Sequence, residues 1–160
     1  MKVVILFFLS AAMLNAFAKN ERSLKPFLTD YCTAYYEGTR ERPGVWKHCC
    51  LEHDLYFWAG GSRADRQETD LRLGKCVEAT GEVEQGRLMY AAVALGGISP
   101  IKFRAKFFGN GWIQNRPRYT KLSSEETQII IQEVERTKWI PENLRDSFTR
   151  QLQSRLDKHQ

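Results

Sequence analysis

Trp46-Lys47-His48-Cys49-Cys50-Leu51-Glu52-His53-Asp54-Leu55-Tyr56-Phe57-Trp58 is the stretch on which the reading of this chain turns. It holds no proline or glycine, and its apolar and thiol residues recur at Trp46, Cys49, Cys50, Leu51, Leu55, Phe57 and Trp58. That spacing predicts a helix over 46–58 that is mostly buried. Gly60-Gly61 ends it, glycine being the residue that tolerates the turn past a helix C-terminus. Ser62 then caps a second helix, with Asp65 at the third helical position as a short capping-box partner. The second helix runs to about Glu78 or Ala79 and closes at Thr80-Gly81. The pair forms a tight antiparallel hairpin. His53 lies seven residues before Gly60 and Asp70 nine after Gly61. At about 1.5 Å of rise per residue the two stand at similar height above the turn, so their side chains can meet.

Outward from this hairpin the chain reads as helices and loops. Residues 19–31 form a lead-in with a short helix expected around Leu24 to Leu28. Gly38, Pro43 and Gly44 punctuate a loop over 32–46. A third helix is expected from Glu82 to about Leu95, a fourth from Ser123-Ser124-Glu125-Glu126 to about Lys138, and a fifth from Pro141-Glu142 onward. Residues 101–122 mix bases and aromatics. Phe107, Phe108 and Trp112 are expected to pack inward and Lys102, Arg104 and Lys106 to face water, although the same stretch also suits an anionic lipid surface. No alternating strand pattern is visible. The fold class is all-α: a disulfide-linked antiparallel helix pair with a C-terminal helical extension.

The N-terminus has the layout of a secretory signal. Lys2 precedes the apolar run Val3–Leu9, and Ala16-Phe17-Ala18 suits cleavage after Ala18. The apolar stretch is broken by Asn15 and falls short of the roughly 20 residues a membrane span needs. The expected mature chain, 19–160, is one domain in size. It carries a core at 31–79 and an extension over 82–160, and its destination is the periplasm or the exterior. Four cysteines, Cys32, Cys49, Cys50 and Cys76, read in that setting as two disulfides, and their spacing leaves three pairings open. The whole chain carries 24 basic and 19 acidic residues, a charge of +5. Losing Lys2 with the leader lowers this to +4. The mild excess suits an anionic membrane surface or plain solubility, and no nucleic-acid motif is present.

Cys49-Cys50-Leu51-Glu52-His53-Asp54 resembles the Cys-Cys-x-x-His-Asp hallmark of the secreted phospholipases A2. Asp70, followed six residues later by Cys76, resembles the partner helix of that family, and Tyr31-Cys32 resembles the start of its calcium loop. The resemblance covers about 31–79. It implies disulfides Cys32–Cys50 and Cys49–Cys76, a catalytic His53 supported by Asp70, and Ca²⁺ held by Asp54 with carbonyls of Tyr31, Thr33 and Tyr35. The activity implied is hydrolysis of a phospholipid ester at a membrane surface, giving a fatty acid and a lysophospholipid. The residue chemistry agrees: an imidazole near its ordinary pKa of about 6.5 is a fit general base, and a carboxylate behind it fixes its tautomer. Asp54, about 100° around the helix from His53, faces the 32–46 loop, where a carboxylate and carbonyls suit a hard cation. The family's loop is glycine-rich, whereas this one reads Cys32-Thr33-Ala34-Tyr35-Tyr36-Glu37-Gly38. Phe57 stands where the family often has tyrosine, which removes a hydrogen bond to Asp70. Arg66, Asp65 and Glu68 read as solvated, and His48 as a first-turn residue without chemistry. Two other readings are a catalytically silent lipid-binding scaffold and a structural zinc site drawn from His48, Cys49, Cys50, His53 and Cys76.

Overall fold

The computed structural model describes residues 23–96, 107–113, 116–117 and 119–157. The leader at 1–18 and the residues Lys102, Arg104 and Lys106 lie outside them. Five helices make up the regular structure among the described residues: α1 (Lys47–Ala59), α2 (Arg63–Ala79), α3 (Val83–Gly96), α4 (Ser124–Arg136) and α5 (Glu142–Asp157).

The α1–α2 turn follows from its own residues. The N–H of Gly60 donates to Tyr56 O at 2.9 Å, with φ +80° at Gly60. A side chain at Gly60 would stand 2.7 Å from Gly109 Cα, so this glycine is required both for its left-handed backbone and for the loop lying against it. Ser62 caps α2 through a complete capping box with Asp65. Ser123 and Glu126 repeat the motif at α4. Helices α2 and α3 approach closely because Gly86 lets them: a Cβ there would meet Gly74 O at 2.5 Å.

Two disulfides, Cys32–Cys50 and Cys49–Cys76, use all four cysteines, and no thiol is free. They tie the lead-in loop to α1 and α1 to α2. Such bonds persist in oxidising compartments. Around them lies a small core of Trp46, Leu73, Val77 and Met89. A larger core joins the far half of α1 to α4 and α5 through Leu55, Tyr56, Ile130, Val134, Phe148 and Leu152.

The expected lead-in helix is absent. Residues 23–30 lie outside any helix, and Leu24 makes a single antiparallel bridge to Trp112. Pro26 removes a donor and disfavours helix in the residue before it, while bonds such as Lys25 N–H to Gly111 O at 2.7 Å offer the backbone another partner. Phe27 is buried against Trp58 and stacks on Trp139, which anchors the segment. Phe108 and Trp112 are buried, as expected, whereas Phe107 is half-buried. Among the described residues, no helix is long and apolar enough to cross a membrane.

Candidate functional site

Helix α1 presents His53 and Asp54 on neighbouring faces, and the two aim at different partners. His53 Nε2 lies 3.0 Å from Asp70 Oδ1 on α2. The equal heights counted from the turn thus become a direct contact across the hairpin. Asp70 is 3% exposed, and the His53 side chain 10%. Asp54 turns toward the lead-in loop, where Thr29 Oγ1 donates to its Oδ2 at 2.5 Å.

Asp70 has a second partner. Arg66, one turn earlier on α2, donates from Nε to Oδ1 at 3.0 Å and to Oδ2 at 2.9 Å. Its side chain is 7% exposed, which overturns the expectation of a solvated arginine. The i,i+4 spacing of Arg66 and Asp70 is an ion-pair signal already present in the sequence. The spacing alone leaves open whether the pair lies in water or inside, and the packing of α3 over it decides. Asp65 is also partly withdrawn from water, held in the capping box and by Arg155 at 3.3 Å. Glu68 stays exposed.

The phenyl ring of Phe57 packs 4.9 Å from the His53 ring and lies under the Arg66 guanidinium at 4.4 Å. Phe57 brings no polar atom to Asp70, and the charged donor that reaches the carboxylate is Arg66.

His53, Asp54 and Arg66 line one cavity of about 840 Å³, together with Tyr31, Thr33 and Tyr35 of the loop. Leu28 and Leu88, at its wall, are 82% and 53% exposed, so apolar side chains meet water beside the opening. The volume is in the range of pockets that accept a drug-sized ligand.

The loop keeps left-handed backbone without glycine: φ is +57° at Tyr31 and +55° at Ala34. Such angles are uncommon for residues with a side chain. The turn's internal backbone bonds fall on the carbonyls of Tyr31, from Thr33 N at 3.0 Å, and Cys32, from Tyr35 N at 2.9 Å. Among the described residues, none of these turn bonds uses the carbonyl of Thr33 or Tyr35. Asp54, Tyr31, Thr33 and Tyr35, the residues expected to hold a cation, thus line one cavity, with Asp54 Oδ2 and the Tyr31 carbonyl already engaged within the protein.

A second grouping has metal-ligand residue types. His48, Cys49 and Cys76 bring their ligand atoms within 4.8 Å of one another. Cys49 and Cys76 are joined to each other, so their sulfurs are not thiolates and zinc has no ligand pair there in the oxidised chain.

Away from the cavity, a polar cluster ties α5 to the hairpin. Tyr56 donates its hydroxyl to Gln151, and Arg72 donates to both Gln151 and Glu52. Burial pushes the Tyr56 hydroxyl up to about 12, against the opposing pull of Arg72 and Arg155.

The two disulfides, the His48-Cys49-Cys76 grouping and the all-helical fold are compatible with a phospholipase A2-like motif. No family model matches the chain, and neither a curated protein nor a solved structure is found to be similar to it.

Proposed function

We propose that this chain is a phospholipase A2-type carboxylic ester hydrolase that releases a fatty acid and a lysophospholipid at a membrane surface, with Ca²⁺ as cofactor. The observation that carries the reading is the 3.0 Å contact between His53 and the buried Asp70 at the wall of a cavity with an apolar rim.

Asp70 accepts from Nε2–H of His53, which leaves Nδ1 as the basic nitrogen. Nδ1 draws a proton from a water molecule as that water attacks the ester carbonyl, and the imidazolium formed is stabilised by the carboxylate behind it. The proton then passes to the departing glycerol oxygen. Asp54, with carbonyl oxygens of Tyr31, Thr33 and Tyr35, would hold Ca²⁺. When bound, the ion supplies Lewis-acid stabilisation of the ester carbonyl oxygen. The apolar cavity wall takes the acyl chain and keeps bulk water from the reacting ester.

A second reading has an observation in its favour. Asp54 Oδ2 is already taken by Thr29, and the loop adopts left-handed angles at two residues that bear side chains. A loop locked in that form would bind lipid without Ca²⁺ and without turnover.

The test is fatty-acid release by the oxidised chain from vesicles of mixed zwitterionic and anionic phospholipid, with Ca²⁺ and with EDTA. Release that EDTA abolishes, and that needs more Ca²⁺ in Asp54→Asn, supports the hydrolase. Vesicle binding with no release supports the silent scaffold, and release that ignores EDTA removes the metal from the proposal.

A further inference from the structure

Arg66 was expected in water, and it stands instead at the junction of three helices. Its Nε bonds both oxygens of Asp70, and its Nη2 donates to Val93 O at 2.8 Å. Val93 belongs to the last four residues of α3, whose carbonyls lack a partner within their own helix. That end of the helix also carries the negative pole of its dipole, which favours a cation there. The face of Phe57 lies 4.4 Å beneath the guanidinium and adds a cation–π contact. Four contacts on one side chain hold it in a single orientation.

The consequence falls on Asp70. A carboxylate with a single neutral partner is free to turn about its side-chain bonds. Here the arginine's contact with both oxygens fixes the plane of the carboxylate, and Oδ1 is left pointing at His53 Nε2. We infer that Arg66 is a positioning residue for the His53–Asp70 dyad: it fixes the Asp70 carboxylate on α2 and braces it against α3. The inference rests on the hydrolase reading and deepens it. Arg66 acts through Asp70 and takes no proton in the reaction.

The placement also has a chemical consequence. The arginine shares the negative charge of Asp70, so the carboxylate serves the imidazole more as an oriented acceptor than as an isolated anion. Lysine at position 66 would keep the charge and lose the geometry, because its ammonium is a point charge without the planar array of donors.

The experiment compares Arg66→Gln, Arg66→Lys and Arg63→Gln, each in the oxidised full chain and each checked for helical signal. Arg63 is exposed on the same helix and serves as the control. Arg66→Gln is expected to lower kcat for vesicle hydrolysis about a hundredfold with KM changed by less than about threefold, since a misplaced group costs rate more than binding. Arg66→Lys is expected to fall between Arg66→Gln and the parent. In an Asp70→Asn background the Arg66→Gln change is expected to alter kcat by less than about threefold, because the two residues act as one unit. An equal loss in both backgrounds, or a loss in KM alone, overturns the inference.

A second readout does not depend on turnover. The ring ¹⁵N spectrum of the three histidines reports whether His53 carries its proton on Nε2. That signal is expected to move in Arg66→Gln and in Arg66→Lys and to stay in Arg63→Gln. An unmoved His53 signal overturns the inference. If the parent chain cleaves no ester, the hydrolase reading falls by itself and this spectrum alone decides whether Arg66 positions the dyad. Should Arg66→Gln fail to fold, Arg66→Lys, which keeps the buried cation, carries both readouts.

Discussion

The two cores of this molecule are held together by different means, and the candidate site lies where they meet. Around Trp46, Leu73, Val77 and Met89 the core is small and is crossed by two disulfides. Around Ile130, Val134, Phe148 and Leu152 it is larger, and packing holds it with no covalent tie. Helix α1 belongs to both. Cys49 and Cys50 enter the first core, Leu55 and Tyr56 the second, and His53 sits between them. The cross-linked half fixes the register of α1 against α2, which a 3.0 Å contact between side chains on two helices requires. The packed half supplies the burial that keeps the hairpin from opening.

This contrast can be broken from either side. The largest expected effect is in the packed half. Phe148→Ala removes a fully buried ring that packs 4.7 Å from Tyr56, and it should cost about 3–5 kcal/mol in denaturant unfolding. A value below about 1 kcal/mol would mean that α4 and α5 do not share the core of α1. Next is the cross-linked half. Replacing Cys49 and Cys76 together by alanine frees a 27-residue separation and should cost about 3.5 kcal/mol on the chain-entropy account. The same change should lower ester hydrolysis more than Phe148→Ala does at a temperature where both variants are folded. The opposite ranking would place control of the dyad in the packed core.

Tyr56 links the halves and gives a pH-dependent signature. Its hydroxyl ionises near 10.0 in an unfolded chain and at about 12 when buried. The group is neutral in both states below pH 10, so it lends no pH dependence there. As pH rises from 10 toward 12 the unfolded chain loses its proton first and is favoured, so stability falls by up to about 1.4 kcal/mol per pH unit. Tyr56→Phe should remove this part of the alkaline loss, measured as the midpoint of denaturation against pH, while losing the hydrogen bond to Gln151 at neutral pH. An alkaline limb identical to the parent's would show that the hydroxyl is not shielded. The smallest effect is local. Ser123→Ala removes one side of the capping box of α4 and should cost about 1 kcal/mol.

The same contrast sets what the sequence made legible. The hairpin could be read because its signals are local: Gly60-Gly61, the Ser62–Asp65 box, and the equal counts from the turn to His53 and Asp70. The start of α4 was legible for the same reason. What could not be read depended on distant partners. Residues 23–30 carry a local sign against helix in Pro26, but the partners that hold them instead, Trp112 and Gly111, lie far along the chain. Arg66 has the spacing of an ordinary surface ion pair, and only the arrival of Val93 from α3 makes it internal. A loop over 32–46 was legible from Gly38, Pro43 and Gly44, but the left-handed turns at Tyr31 and Ala34 occur without the glycine that would have announced them.

The central claim is that the imidazole at position 53, backed by Asp70, moves the proton in ester hydrolysis. Its most direct measurement is the rate of fatty-acid release from Ca²⁺-loaded vesicle assays by the parent chain and by His53→Gln, with thermal unfolding of both recorded alongside. The account predicts a fall of about a thousandfold or more in the variant, as loss of a general base from a working site gives, with little change in melting temperature. Release by His53→Gln at the parent's rate would contradict it.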